Sequence, residues 1–216
     1  MSEKRIGART VRFSNPPSVL GYASIVGPKE GEGPLAKHFD LIYEDSYLGE
    51  KTWERAESRM QKEALERAAE KAGGPVSDVQ LMFAGDLLNQ CIATSFGLRS
   101  TGVPLCGLYG ACSTFAEGMM LASMAIDGGF ADKAAAIASS HFSTSERQYR
   151  NPLPYGSQRT PTAQWTVTGA GACVLGSTGG GPFITHATAG RIIDLGVTDQ
   201  NNMGAAMAPV SVILAP

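Results

Sequence analysis

The sequence lacks the features that would place it at once among nucleic-acid-binding, membrane-spanning or secreted proteins. Its 18 basic residues are outnumbered by 20 acidic ones, so a net charge of -2 gives no basic footprint for nucleic acid. It has no apolar run of the roughly 18 residues that a membrane-spanning helix requires. No apolar segment follows the charged N-terminal stretch, so we predict no secretory signal there. With 43% hydrophobic residues, the composition is that of a globular protein.

The cysteines and histidines show none of the spacings that hold zinc. The sequence has four cysteines, none in a C-x-x-C pair, and its three histidines are scattered. We therefore predict free thiols in a reducing compartment, with no metal site and no cofactor. The "TGAGA" of residues 168–172 lacks both the full glycine-rich fingerprint and the lysine of a phosphate loop, and we interpret it as close packing of a strand.

Short apolar segments alternate with helical ones along the middle of the chain. Residues 52–72 repeat apolar side chains at spacings of three and four, which predicts an amphipathic helix. Residues 79–86, 103–110 and 133–140 have the length and composition of buried strands. Residues 113–129 predict a helix that is apolar on nearly all sides and therefore central. Strands that alternate with helices predict an α/β layered fold with a largely parallel sheet.

Cys112 lies where a predicted strand turns into a predicted helix, in "GLYGACSTFAEG". At the N-terminus of a helix, unpaired N–H groups and the helix dipole favour a thiolate, and the same groups can hold a carboxylate. Packing is the alternative, because buried free cysteines are common. We predict packing roles for Cys91, Cys106 and Cys173, which lie inside predicted elements.

Other polar residues follow predicted strands. Asp86 and Asn89 could cap the next helix or line a pocket, and His141 could face the same pocket or be a hydrogen-bonded structural residue. The irregular segment beyond carries three arginines that could clamp an anion or remain solvated, namely Arg147, Arg150 and Arg159.

Several long stretches that follow one another along the chain resemble the stage V sporulation protein AD family, among them "FAGDLLNQ", "GLYGACSTFAEGM", "SSHFSTSERQYRNP" and "YGSQRTPTAQWTVTGAGA". That family belongs to the thiolase-like superfamily, and the resemblance runs from about residue 13 to Pro209. It implies the N-terminal half of a layered αβα structure with a mixed, largely parallel central sheet. Residues 1–182 would form that half, and residues 183–216 would begin a truncated second half.

The resemblance implies binding rather than condensation. The expected ligand is dipicolinic acid, alone or as its calcium complex, in a pocket that includes Cys112, with Gly110 and Ser113 flanking it. His141 is added to this pocket as a geometric hypothesis, because it follows a predicted strand. Expected partners are other proteins of the same sporulation operon, some of them membrane-embedded, and a second copy of the chain, with no nucleic acid. The expected location is the forespore or spore, as a soluble protein associated with the spore inner membrane.

Two alternatives to a binding protein stay open. The first is an acyltransferase or condensing enzyme of the thiolase superfamily that uses Cys112 as its nucleophile. Such catalysis needs a base and an oxyanion site, which the superfamily normally supplies from its second half, and none of His38, His141 and His186 lies in a matching context. We therefore expect a non-enzyme. The second alternative is a structural or interaction protein that binds no small molecule.

Overall fold

The chain forms two compact units. The computed structural model describes residues 3–87, 91–149, 166–198 and 204–205, with the backbone alone for residues 146–149. The smaller unit comprises Met1–Arg12 and His186–Pro216, and the larger one comprises Phe13–Thr185. The predicted division at residue 182 concerns the halves of a larger fold, and it stays a prediction.

The smaller unit contains a three-stranded antiparallel sheet. Its strands are β1 (Arg5–Ile6), β2 (Thr10–Arg12) and β9 (His186–Thr188), in the order β1-β2-β9. Thr10 pairs with Thr188, and their hydroxyls lie 2.9 Å apart.

The larger unit is built on a six-stranded mixed sheet in the order β4-β3-β8-β7-β5-β6. The strands are β3 (Ser18–Val26), β4 (Leu41–Ile42), β5 (Leu81–Asp86), β6 (Leu105–Gly107), β7 (Lys133–Ser140) and β8 (Gly169–Gly176). Strand β8 runs antiparallel to both of its neighbours, and the other three pairings are parallel. The predicted α/β fold with a mixed, largely parallel sheet is confirmed.

Helices cover the sheet on both faces. They are α1 (Pro28–Gly31), α2 (Trp53–Lys71), α3 (Ile92–Leu98), α4 (Thr114–Asp127) and α5 (Phe142–Tyr149), with short 3-10 turns at Ala36–His38, Val76–Asp78 and Ala111–Ser113. Helix α2 begins where the Thr52 hydroxyl accepts the Arg55 N–H, and it packs an alanine- and methionine-rich stripe on one face of the sheet. Helix α4 packs on the opposite face, against Phe83, Ala134 and Cys173.

Two predictions about burial are wrong. Residues 103–110 were expected to form a buried strand, but β6 is exposed along its whole length because it lies at the edge of the sheet. Helix α4 was expected to be central, but Phe115 and Met124 on its outer side are 39% and 37% exposed. The apolar composition of both elements therefore leaves apolar surface open in this chain.

Strand β3 lies near the start of the chain but is interior to the sheet. It is hydrogen-bonded to β4 on one side and to β8 on the other. Pro16 and Pro17 fall just before it, where a missing N–H costs no ladder bond.

Candidate functional site

The turn between β6 and α4 carries three of the four predicted site residues. It leaves the sheet at Leu108, whose N–H donates to the Ala84 carbonyl at 2.8 Å. Gly110 accepts both the backbone N–H and the hydroxyl of Ser113, each at 2.9 Å. The structure thus brings Gly110, Cys112 and Ser113 together around one short 3-10 turn.

Backbone strain marks this turn. Ala111, directly before Cys112, has a φ of 46°, which a residue with a Cβ adopts only at a cost. Gly110 avoids a second conflict, because a Cβ there would lie 2.5 Å from the Ser113 hydroxyl and 2.6 Å from a Glu117 carboxylate oxygen. A strained backbone next to an exposed cysteine is a common mark of a functional turn.

Donors at the start of α4 are available. Ser113 is the N-cap residue, but its hydroxyl donates to Gly110 instead of accepting a helical N–H. Thr114, the first helical residue, is 2% exposed, and its hydroxyl has no hydrogen-bond partner in the described part of the chain. Glu117 is the acidic residue of the first turn. The Thr114 N–H donates to the Ala111 carbonyl within the 3-10 turn, but no side chain caps the helix. A helix N-terminus without a side-chain cap and with a spare hydroxyl suits an anionic oxygen.

The site is an open surface in this chain. Cys112 and Ser113 are exposed, and Tyr109 and Phe115 beside them are 63% and 39% exposed. A cleft of about 880 Å³ lies elsewhere, between the C-terminal end of α2 and the segment after α3, and Gly73, Pro75 and Thr101 are among its lining residues. Among the described residues, the turn at Cys112 is therefore an exposed surface.

His141, the fourth predicted site residue, lies apart from the turn in the polar interior. It is fully buried after β7, with Nε2 2.8 Å from the Ser46 carbonyl and Nδ1 accepting the Ser143 N–H at 3.3 Å. These partners fit a neutral ring with hydrogen on Nε2. The Phe142 ring stacks 5.1 Å from the imidazole. This geometry is that of the structural alternative, and contact of His141 with a ligand stays a prediction.

A buried polar junction that the sequence analysis missed lies next to His141. Glu57 and Gln61 of α2 are both fully buried. The Gln61 amide nitrogen lies 2.9 Å from the Gly85 carbonyl and 3.1 Å from each of the hydroxyls of Thr94 and Ser139. The helical pattern held a signal, because Glu57 and Gln61 follow Trp53 at steps of four and so fall on the side of α2 that faces the core.

Glu57 is held at this junction by hydroxyls. Its two carboxyl oxygens lie 3.0 Å from the Ser139 hydroxyl and 2.9 Å from the Thr144 hydroxyl. Burial raises the pKa of Glu57 to about 7, and the charge of Asp86 adds to the rise while the two hydroxyls oppose it.

Of the remaining polar candidates, one takes its predicted capping role and the others are not described. Asp86 caps α3, because one carboxylate oxygen accepts the Thr94 N–H at 2.8 Å and its hydroxyl at 2.7 Å. The predicted alternatives for Asn89, Arg147, Arg150 and Arg159 rest on side chains outside the described residues.

The cysteines do not share one environment. Cys173 is buried in the core as predicted, and burial raises its pKa to about 12. Cys106 is exposed on the edge strand, so its predicted packing role is wrong. Cys91 is half-buried before α3 with a φ of 53°, and its thiol donates to the Leu108 carbonyl at 3.1 Å.

Two features are absent from the described residues. These residues contain no group of three or more histidine, cysteine or acidic side chains that could hold a metal ion. None of the helices in the described ranges is long and apolar enough to cross a membrane.

Comparison with known proteins identifies the family. The sequence model described as "Stage V sporulation protein AD" matches residues 7–214. Stage V sporulation protein AD of Bacillus subtilis (strain 168) is 43% identical over 208 residues. The alignment covers 96% of this chain and 62% of that relative, so the chain spans less than two thirds of the relative's length.

Solved structures with the same fold are enzymes of more distant sequence. 3-Oxoacyl-(acyl carrier protein) synthase III of Xanthomonas oryzae pv. oryzae matches with a TM-score of 0.50 at 19% identity, over 77% of this chain and 57% of its own. A variant of Xanthomonas campestris OleA with cerulenin matches with a TM-score of 0.50 at 17% identity, over 76% of this chain and 58% of its own. The likeness at these identities concerns the fold alone, and it confirms the predicted thiolase-like fold. With this fold and a family match along nearly its whole length, the chain belongs to the stage V sporulation protein AD family of sporulation proteins.

Proposed function

We propose that the turn before α4 forms one wall of a non-catalytic site for dipicolinic acid. The ligand is inferred from the family resemblance, and the geometry supplies groups that suit it. Dipicolinate is a flat aromatic dianion. The observation that carries the proposal is the N-terminus of α4, which has no side-chain cap, where the buried Thr114 hydroxyl has no partner among the described residues and Cys112 is exposed.

The charges around the turn bear on how the ligand enters. Glu117 is close enough to Gly110 that its carboxylate would meet an added Cβ there at 2.6 Å. A free dianion would be repelled by this carboxylate, whereas a calcium complex would offer it a cation. We therefore propose that calcium strengthens binding, and that Glu117→Gln removes the calcium effect.

Thermal melts of the purified chain test the site. A ligand that binds only the folded state raises the midpoint with concentration. We expect dipicolinate to raise it, isophthalate to raise it less because it lacks the ring nitrogen, and Cys112→Trp to abolish the rise. Cys106→Trp is the matched control, because it places the same indole at another exposed cysteine. Equal shifts in both variants, or no shift in the parent chain, would contradict the proposal.

Acyl transfer is the second candidate, and the exposed thiol of Cys112 favours it. In that reaction the thiolate attacks the thioester carbonyl of an acyl-CoA, the acyl group moves to sulfur, and CoA leaves as the thiol. Intact-mass measurement after incubation with acetyl-CoA decides between the two. An acetyl adduct that Cys112→Ser removes would support the enzyme, and an unmodified chain that still binds dipicolinate would support the binding protein.

We further propose a homodimer, operon partners and association with the spore inner membrane, as the resemblance implies. The unpaired outer edge of β6, with Leu105 37% exposed beside it, supports pairing with a second copy through the sheet. Sedimentation of the parent chain and of Leu105→Lys tests the dimer, since a charge at this edge should shift the chain toward monomer. Fractionation of sporulating cells with and without the operon's membrane proteins tests the location.

A further inference from the structure

The junction between α2 and the start of α5 contains a buried acid, Glu57, that has no cationic partner among the described residues. Glu57 lies among hydroxyls, and no ion pair joins it to any residue in the described ranges. The charged groups that act on it are both acidic, Glu54 on α2 and Asp86 at the end of β5, while His141 is linked to it through its backbone carbonyl and Thr144. A negative charge on Glu57 would therefore be buried beside other acids, which is unfavourable.

The hydrogen bonds at this junction balance when Glu57 carries a proton. The Thr144 hydroxyl has one hydrogen but lies within reach of two oxygens, the Glu57 carboxyl at 2.9 Å and the His141 carbonyl at 3.0 Å. Thr144 can share this hydrogen between the two oxygens, but a full bond to each requires it to accept from one of them, and a carbonyl cannot donate. With a proton on Glu57, the carboxyl can donate to Thr144, and Thr144 can donate to the His141 carbonyl.

The other carboxyl oxygen fits the same assignment. The Ser139 hydroxyl accepts from the Gln61 amide at 3.1 Å and donates to Glu57 at 3.0 Å. Each of these hydrogens then has an acceptor along the line from Gln61 through Glu57 to His141, across α2, β7 and α5, while the Gln61 amide oxygen has no partner among the described residues. The bonds of a buried network of this kind depend on one another.

We propose that Glu57 is protonated in the folded chain and that this proton fastens α2 to the β7–α5 junction, so that its loss loosens α5. The proposal is independent of the ligand of the Cys112 turn. Deprotonation turns Glu57 from donor to acceptor, removes one of the two bonds of Thr144, and leaves a buried carboxylate facing Asp86. The charge acts on the network through Ser139 and Thr144, so Glu57 is a positioning residue.

The direction of the pH dependence follows from linkage. The pKa of Glu57 is raised in the folded chain to about 7 from the model-compound value of 4.5, so the folded state holds a proton that the unfolded state has lost between these values. Stability is greatest below about pH 4.5, falls as the pH rises toward 7, and is level above it. The unfolding equilibrium constant rises by about 4-fold at pH 5 and about 300-fold at pH 8 relative to an uncharged side chain.

Glu57→Gln is the direct test, because glutamine keeps the shape and can donate to Thr144 without a charge. In urea unfolding, the stability of the variant should be close to that of the parent at pH 5 and much higher than that of the parent at pH 8. Glu66→Gln is the matched control, since Glu66 lies on the same helix with 51% of its side chain exposed, and its effect should not vary with pH. An advantage of Glu57→Gln that is equal at both pH values overturns the proposal.

Hydrogen exchange locates the effect. After correction for the intrinsic rate, amides of α5 should exchange faster at pH 8 than at pH 6 in the parent and equally in Glu57→Gln, while those of α4 should not differ. If the α5 amides of the parent exchange equally fast at both pH values, the proposal that α5 loosens is overturned. Should Glu57→Gln fail to fold, infrared spectra of the parent at pH 6 decide: a protonated carboxyl band in the folded chain that disappears in urea supports the proposal, and its absence overturns it.

Discussion

The junction around Glu57 and the turn around Cys112 lie at the same edge of the sheet but use their polar groups differently. Strands β5, β6 and β7 are parallel, so their carboxyl ends meet at one edge. At the end of β7 the hydroxyls and the Gln61 amide nitrogen form a connected buried network, in which the Gln61 amide oxygen has no hydrogen-bond partner among the described residues. At the end of β6 no side chain caps α4, the Thr114 N–H donates to the Ala111 carbonyl within the 3-10 turn, and the buried Thr114 hydroxyl has no described partner.

The difference distinguishes the part of this edge that holds the fold from the part that can bind a ligand. The connected network around Glu57 joins α2, β7 and α5 and so fixes their positions. The Thr114 hydroxyl makes no hydrogen bond to a described residue, so it can bind a further oxygen without breaking an existing bond. The buried, connected network therefore marks the framework, and the start of α4 marks the part that can bind a ligand.

Gly85 joins the two regions, and its substitution should have the largest effect. Its carbonyl accepts from Gln61, while an added Cβ would lie 2.4 Å from the Leu108 carbonyl and 2.7 Å from a Thr114 methyl. We expect Gly85→Ala to reduce the free energy of unfolding by about 3 kcal/mol, because the backbone must move apart. Urea unfolding measures this. Gly171→Ala is the control, since an added Cβ there meets nothing within 4 Å, and equal losses in the two variants would contradict the close approach.

Gln61→Leu tests how much the buried network around Glu57 contributes to stability. It keeps the volume of the side chain but leaves the Gly85 carbonyl and the hydroxyls of Thr94 and Ser139 without their common donor. We expect a loss of about 2 kcal/mol, as for a buried acceptor deprived of its partner. Chemical denaturation checks the value. Ser113→Ala, which removes an exposed hydroxyl from the open turn, should lose under about 1 kcal/mol. A reversed order would mean that the junction is not the more cooperative region.

Local pattern was enough to predict the regular elements that bury one side. The strand expected over residues 133–140 is β7, and the helix expected over residues 52–72 is α2 to within a residue at each end. In both elements the side chains that face the core are apolar, so the periodic spacing in the helix and the continuous apolar run in the strand can be recognised from the sequence. The turn at Cys112 was also predictable, because glycine and small residues between a strand and a helix allow few other conformations.

What failed depends on neighbours distant in the sequence. The exposure of β6 follows from its edge position, and a short apolar run does not reveal its order in a sheet. Strand β3 is interior because β8, about 150 residues later, pairs with it. Glu57 was overlooked because a glutamate in a helix usually faces solvent, and its burial depends on Ser139 and Thr144 arriving from another part of the chain.

Thr114→Val sharpens the comparison with the smallest change in stability. Valine has nearly the shape of threonine, and the hydroxyl it replaces has no partner among the described residues, so its removal loses no hydrogen bond. We expect the free energy of unfolding to stay level or to rise by up to about 1 kcal/mol, because a buried polar group is deleted.

Thr114→Val should also weaken the binding of dipicolinate about 10-fold, which corresponds to the loss of one hydrogen bond of about 1.4 kcal/mol to a carboxylate. Thr144→Val is the matching variant in the buried network around Glu57, where the hydroxyl has two partners. It should lower the free energy of unfolding without a specific effect on dipicolinate binding. Melts with and without dipicolinate separate the two kinds of loss. If Thr114→Val is destabilising and Thr144→Val is neutral, then the start of α4 belongs to the framework of the fold and the network around Glu57 does not, which reverses the roles given to the two regions.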